Sequence, residues 1–377
     1  MVKVYRSLRY YVTFISLLAM QCSVMAYSRA VMSDSVCEPK KENVNKERGL
    51  YSFIKSLNRI DTTYIEPQHY NYTAMLQNTT TYEMYHLRSK DGQAVTFAPK
   101  PTVKVGPYFG WRWVFLGYTL DITHLSNGRK KKELDLSLYS SHVGIDLYYR
   151  KTGDDYLIRY IKDGNWLIRP KNLAFDGFEV SIKGFNVYYI FNHRKFSYPA
   201  AFSQSTIQKK SCGSPLIGIG YVHHSLSLDY GKLHDVIAEI AEKDELKVDT
   251  GLMFNHVKYV DYSLSGGYAY NYVFAKNCLL SASVSLAVAY KKTVGEREEN
   301  ASQLLDFKFS NFNLDAIGRF GVVYNNMNWY CGASAVIRAY NYYKPQFSTN
   351  SIFGSLNFYV GVNFGKMRKY KKKNKKV

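Results

Sequence analysis

Along four stretches of this 377-residue chain, every second side chain is apolar, which commits those stretches to extended backbone with one greasy and one wet face. The clearest runs Leu280, Ala282, Val284, Leu286, Val288, Tyr290, interleaved with Ser281, Ser283 and Ser285. Val260, Tyr262, Leu264, Tyr268, Tyr270, Tyr272 and Phe274 alternate with Asp261, Ser263, Ser265 and Asn271. Phe312, Leu314, Ala316, Phe320, Val322 and Tyr324 oppose Asn311, Asn313, Asp315 and Arg319. Ile352, Leu356, Phe358, Val360, Val362 and Phe364 oppose Ser355, Asn357 and Asn363. The same period extends back to about Tyr72.

Connectors alternate between tight and long. Tight ones fall at Gly110–Arg112, Tyr139–His142, Ala275–Asn277 and Asn325–Asn328, with a wider one at His193–Pro199. Long polar ones fall at Arg88–Lys100, His124–Lys132, Lys151–Asp176, Asp229–Asn255, Lys292–Ala301 and Tyr343–Asn350. That rhythm predicts about twelve strands, near 72–88, 101–110, 113–123, 133–140, 142–152, 178–192, 207–229, 256–274, 277–291, 302–324, 328–343 and 350–364. An even number of strands, with short turns at one end and long loops at the other, is the pattern of a transmembrane antiparallel up-and-down β-barrel.

A soluble β-sandwich or lipocalin-like barrel would put the apolar face inside. Strand length argues for the membrane version, since several runs exceed the ten residues a tilted crossing needs. Trp111, Trp113, Tyr272, Phe274, Tyr324, Trp329 and Phe364 cluster beside the tight turns, where an interfacial girdle belongs. The polar face carries Lys104, Asp121, Asp135, Asp146, Arg150, Lys183, Asp261, Asp315, Arg319 and Arg338, charges that a hydrated lumen tolerates and a dry core does not. Open sheet edges are excluded from lipid, so the first and last strands must pair.

Lys3, Arg6 and Arg9 precede a mostly apolar run from Tyr10 that ends Val24-Met25-Ala26, the layout of a cleaved signal peptide over residues 1–26. Gln21 stands where a lipoprotein site wants a small residue before Cys22. Residues 27–70 read as a periplasmic lead-in with a short helix around Leu50–Leu57. Residues 71–364 then form the barrel and 365–377 a basic periplasmic tail. Within the fourth long loop, Leu233, Val236, Ile237, Ile240 and Ala241 have helical spacing, predicting a short amphipathic lid on the barrel rim.

The formal charge is +20, from 50 Lys+Arg against 30 Asp+Glu. Setting aside the three bases of residues 1–26 and the eight of residues 365–377 leaves +9 on the body, so net charge gives no case for nucleic-acid binding. With 35 Tyr, 21 Phe and only nine Pro, and a negative mean hydropathy, the chain is neither disordered nor a helical membrane protein. Cys37, Cys212, Cys278 and Cys331 lack metal-ligand spacing and are too sparse for a disulfide scaffold. No metal or cofactor is expected.

Asp61-Thr-Thr-Tyr-Ile-Glu66, Phe97-Ala-Pro99, Gly106-Pro-Tyr-Phe-Gly-Trp-Arg-Trp113 and Phe115-Leu-Gly-Tyr118 resemble the domain-of-unknown-function 4421 family. So do Ser137-Leu-Tyr139, Gly144-Ile-Asp-Leu-Tyr-Tyr-Arg150, Phe191-Asn-His-Arg-Lys-Phe-Ser197, Ala200-Ala-Phe202 and Gln208-Lys-Lys-Ser211. The resemblance runs from about Asp61 to Phe364. It implies an exported outer-membrane-type β-barrel without an established activity. On the barrel reading the chain is expected in the outer membrane of a Gram-negative bacterium, with outer-membrane lipids and the barrel insertion machinery as its partners.

One segment suggests chemistry. His124-Leu-Ser126-Asn127-Gly128-Arg129 resembles the His-x-Ser-Asn-Gly-Arg segment of outer-membrane phospholipase A, and more loosely the His-x-Ser-Asn of lipid A deacylases. His and Ser two apart on a strand share a face, so an imidazole there can activate the hydroxyl. Parity with Val114, Leu116, Tyr118, Leu120 and Ile122 puts both on the lipid side. Arg129, Lys130, Lys131 and Lys132 follow, placed for headgroup phosphates. A triad needs a third group to orient the imidazole, and the nearby Glu133 has lumenal parity. Ser-Asn-Gly is equally what turn chemistry writes at the start of a loop. The reading is therefore a non-enzymatic barrel acting as scaffold, surface-loop binder or narrow channel, with a lipid hydrolase as the alternative.

Overall fold

Alternation becomes strand along most of the chain. The structure, a computed structural model, describes residues 60–111, 114–117, 120–121, 132–152, 155–164, 166–241, 249–293, 311–343 and 347–371. In chain order the strands are β1 (Ile65–Pro67), β2 (Tyr70–Ser89), β3 (Ala94–Pro99), β4 (Thr102–Trp111), β5 (Val114–Gly117), β6 (Leu120–Asp121), β7 (Lys132–Tyr139) and β8 (Val143–Lys151). There follow β9 (Tyr156–Asp163), β10 (Trp166–Ile168), β11 (Leu173–Phe175), β12 (Phe178–Ile190), β13 (Thr206–Gln208), β14 (Cys212–Leu228) and β15 (His256–Ala275). The last are β16 (Cys278–Thr293), β17 (Phe312–Asn325), β18 (Trp329–Tyr343) and β19 (Phe347–Lys366). Helix α1 (Tyr198–Phe202) lies between β12 and β13, and α2 (Tyr230–Ala241) between β14 and β15.

Every pairing is antiparallel. From β7 the order runs through β8, β12, β14, β15, β16, β17, β18 and β19, then β2 and β4, then β5 and β6. The last strand thus pairs with the first long one, from Phe347↔Ser89 to Lys366↔Tyr70, removing the edges that chain ends would leave. The sheet curls into a barrel, and Lys104 on β4 bonds Glu133 on β7 where its two flanks approach.

Each barrel end has its own chemistry. At the turn end the hairpins are tight: Trp111 pairs with Val114, Tyr139 with Gly144, Ala275 with Cys278 and Asn325 with Tyr330. Asn277 sits at φ 66°, a conformation Asn tolerates and branched residues do not. The loop end is more elaborate than bare loops. β3 pairs with both β2 and β9, β9 also pairs with β10 and β11, and α2 packs Leu233 and Ile237 into the core beneath it. The segments 88–100 and 151–176, expected only as long loops, therefore carry strands. The helical spacing near Leu233 does form a helix, and it lies as a lid.

Radial polarity follows the alternation through the middle of the barrel. Leu264, Tyr268, Leu286, Val288, Leu314, Phe358 and Val360 face outward and are each about half exposed. Nearer the loop end the polarity inverts. On β2 the inner face changes from Thr81 and Glu83 to Tyr85 and Leu87, while the outer face changes from Tyr82 and Met84 to His86 and Arg88. On β12 the inner positions there are Phe178, Val180 and Ile182. These residues join Phe97, Tyr156, Leu226 and Tyr259 in one apolar core, as expected where a sheet is surrounded by water.

The short-helix expectation near Leu50–Leu57, the signal peptide of residues 1–26, most of the 27–70 lead-in and the tail from residue 372 lie outside the described residues. The strand expected from 207 begins at Cys212. Ile207 belongs instead to β13, which pairs with β1 through Ile65↔Gln208 and Pro67↔Thr206.

Candidate functional site in the barrel interior

The middle of the interior holds a belt of buried ion pairs contributed by strands from around the barrel. Arg319 on β17 donates to Asp146 on β8. Arg150 on β8 reaches Asp135 at 3.3 Å, Glu83 on β2 at 3.7 Å and Glu133 on β7 at 4.0 Å. Arg338 on β18 meets the other oxygen of Asp135 at 3.6 Å. Lys291 on β16 lies between Asp315 on β17 (2.9 Å) and Asp261 on β15 (3.4 Å), and also donates to the Asn341 carbonyl. Except for Asp135, which is about one-third exposed, and Lys104, these side chains are almost wholly buried.

Aromatic faces complete the belt. The Arg338 guanidinium is 4.8 Å from the Tyr148 ring, Arg319 is 5.0 Å from Tyr188, and Arg150 is 5.1 Å from Phe353. Such stacking suits arginine, whose flat and weakly hydrated cation loses little on leaving water. The Tyr148 and Tyr340 hydroxyls bond each other at 2.7 Å. A buried ion loses several kcal/mol of hydration, so each needs the partners it has here.

Both ends of the belt are covered. Towards the loop end stands the apolar core described above, with His224 stacked on Tyr259 at 4.5 Å and Tyr259 on Tyr342 at 4.1 Å. Towards the turn end, the chain between β12 and β14 folds inward. Ser197 caps α1 by accepting from the Ala200 N–H, and Pro199 sits in the first turn. Tyr198 bonds Ser283 and stacks on Tyr139 at 5.8 Å, while Ala200 and Ala201 pack on Leu279 and Val323. Asn271 donates to the Ser197 carbonyl (2.9 Å) and to Gln208 (3.1 Å). Gln204 donates to the Tyr359 hydroxyl at 2.8 Å, and its carbonyl accepts from Asn325 at 3.2 Å. This segment is a plug, and the pairing of β1 with β13 ties the amino-terminal lead-in to it.

Of the charges expected on the polar face, Asp146, Arg150, Asp261, Asp315, Arg319 and Arg338 are buried in the interior; Lys104 and Asp135 take part in the same belt. Lys183 does not. It is exposed and pairs in register with Tyr149 and His223 on the outer face, because Ile182 and Asn186 occupy the inner positions of β12. It lies beyond the inversion, where the outer face turns polar. The Asp121 side chain lies outside the described residues.

His124, Ser126, Arg129, Lys130 and Lys131 also lie outside them. Lys132 is exposed and pairs with Lys151. Glu133 contacts Lys104 and Arg150, so its carboxylate belongs to the belt. Cys212, Cys278 and Cys331 are free thiols.

Glu83 and Lys291 join the belt beyond the charges expected there, and the parity of the alternation is sufficient to find both. Glu83 falls between the outward Tyr82 and Met84, and Lys291 follows the outward Tyr290. For the plug the spacing predicts only a wide turn at His193–Pro199. Nothing in the alternation marks a connector that folds back inside.

No curated protein is similar to the chain in sequence. Among solved structures, the outer membrane protease OmpT of Escherichia coli is 8% identical with a TM-score of 0.33, over 78% of this chain and 97% of that one. The outer membrane protein OprG of Pseudomonas aeruginosa is 8% identical with a TM-score of 0.25, over 81% and 100%. The toluene transporter TodX of P. putida is 8% identical with a TM-score of 0.21, over 79% and 91%. The family model described as Domain of unknown function (DUF4421) matches residues 59–364, and the chain belongs to that family.

Proposed function

We propose that the chain is an integral outer-membrane barrel with a plugged interior, serving as a non-enzymatic scaffold that displays its loop end at the cell surface. Twelve wall strands fit this reading: β2, β4, β5 with β6, β7, β8, β12 and β14 to β19. Closure then falls between β6 and β7, beside the Lys104–Glu133 bond. The tight turns face the periplasm and the outward stripes contact outer-membrane lipid. Folding in the membrane then depends on the barrel insertion machinery.

One observation carries the choice of scaffold over channel. The charged belt is paired across the interior and covered at both ends, by the α1 plug and by the aromatic core. A conducting lumen needs hydrated, mobile charge along a continuous path. Planar-bilayer recordings of the purified protein are expected to show no discrete steps. Steady, sizeable conductance would overturn the scaffold reading.

A further inference from the structure

Between its two aromatic girdles the outward face of the barrel is greasy, with one break. Tyr72, Trp111, Phe274, Trp329 and Phe364 mark the girdle at the turn end, and Tyr82, Phe185, Tyr262 and Phe312 mark the other. Among the described outward positions between them, Asn78 and Thr80 on β2 carry the only non-aromatic amide or hydroxyl side chains. Among the described residues, neither side chain has a hydrogen-bond partner.

Their depth is what makes this costly. Asn78 lies six residues along β2 from Tyr72 and four from Tyr82. At about 3.3 Å per residue and a tilt near 40°, that is about 15 Å from one girdle and about 10 Å from the other. At such depth acyl chains offer neither donor nor acceptor, and an unpaired amide in hydrocarbon costs several kcal/mol.

Asn78 also borders an outward-facing apolar depression of 610 Å³, whose lining includes Leu76, Val322, Ala333, Phe358 and Val360. The register explains the hollow. Ala333 sits between Val322 on β17 and Phe358 on β19, so a short side chain is flanked by longer ones, and Phe358 pairs in turn with Asn78.

We infer that this face of β2, β18 and β19 is where a second copy of the chain docks in the membrane. A two-fold axis beside Asn78 brings the same amide of the second copy opposite it. An amide both donates and accepts, so the two Asn78 side chains satisfy each other at a depth where lipid cannot. The apolar hollow supplies the packing surface around that pair.

The inference rests on the membrane reading, and the test separates the two. Purified protein in nanodiscs is sized by mass photometry, and heat-modifiable gel migration of the same sample reports the folded barrel. Wild type is expected as a dimer, with Asn78→Leu weakening dimerisation about tenfold, as loss of one membrane-buried polar pair implies. Ala333→Phe, which fills the hollow, is expected to weaken it as well. A wild-type monomer with normal heat-modifiable migration overturns the dimer and leaves the barrel standing. So does a dimer indifferent to both substitutions.

Discussion

Arg319 on β17 and Asp146 on β8 lie 173 residues apart in sequence and hydrogen-bond directly across the barrel interior. Their pairing ties opposite walls together through the middle of the molecule, with the Tyr188 ring 5.0 Å from the guanidinium. A bond of this kind can be tested by removing either end.

Arg319→Met leaves the Asp146 carboxylate buried without its cation, and Asp146→Asn strands the guanidinium. Each single variant is expected to destabilise the protein by about 3–5 kcal/mol, measured by urea unfolding in lipid vesicles. The double variant should recover much of that loss, since no uncompensated charge remains.

The plug depends on Tyr198. Its ring fills space against Tyr139 and Phe202, and its hydroxyl bonds Ser283. Tyr198→Ala is expected to cost about 3–5 kcal/mol and Tyr198→Phe only about 1 kcal/mol, because the first leaves a cavity and the second removes one bond. Equal losses for the two would show that packing of the ring is not what seats α1.

At the hairpin joining β15 to β16, Asn277 occupies the left-handed region. Asn277→Gly should leave stability unchanged or slightly raised, whereas Asn277→Val should lower it by about 1–2 kcal/mol. Thermal unfolding of the two variants side by side reads the difference.

Lys232 at the start of α2 donates to both oxygens of Asp176, at 3.1 and 3.0 Å. That hydrogen bond and charge hold the Asp176 carboxyl below its usual range. The sign follows: the contribution to lid docking is present above the ordinary carboxylate pKa and is lost as pH falls through the depressed one. Both groups are exposed, so the effect is small and local. Once corrected for its intrinsic pH dependence, hydrogen exchange of the α2 amides should show lower protection on acidification in wild type. In Asp176→Asn, exchange corrected for its intrinsic pH dependence should not respond over that window.

Much of the wall was legible because one face of each strand points outward and the other into a fixed interior, and a period of two leaves no freedom about which residues go where. The strand expected at 277–291 appears as Cys278–Thr293, and that expected at 328–343 as Trp329–Tyr343. Lys183 departs from the expected lumenal position because the polarity of β12 is not uniform along the strand. On β12 the rule that the polar face points inward stops short of Lys183, where Ile182 turns into an aromatic core. The plug was illegible for a different reason. Tyr198, Gln204 and Gln208 gain their roles from Ser283, Tyr359 and Asn271, contacts between distant segments that no local pattern encodes.

Which face of the wall meets lipid decides between a membrane barrel and a soluble one, and a spin-label scan along β15 in lipid vesicles measures that directly. Labels at Leu264 and Tyr268 are predicted to be reached by oxygen dissolved in the bilayer and shielded from a water-soluble nickel reagent, with labels at Ser263 and Ser265 reached by neither. The reverse alternation, with Leu264 and Tyr268 shielded from oxygen and Ser263 and Ser265 open to it, would contradict the account.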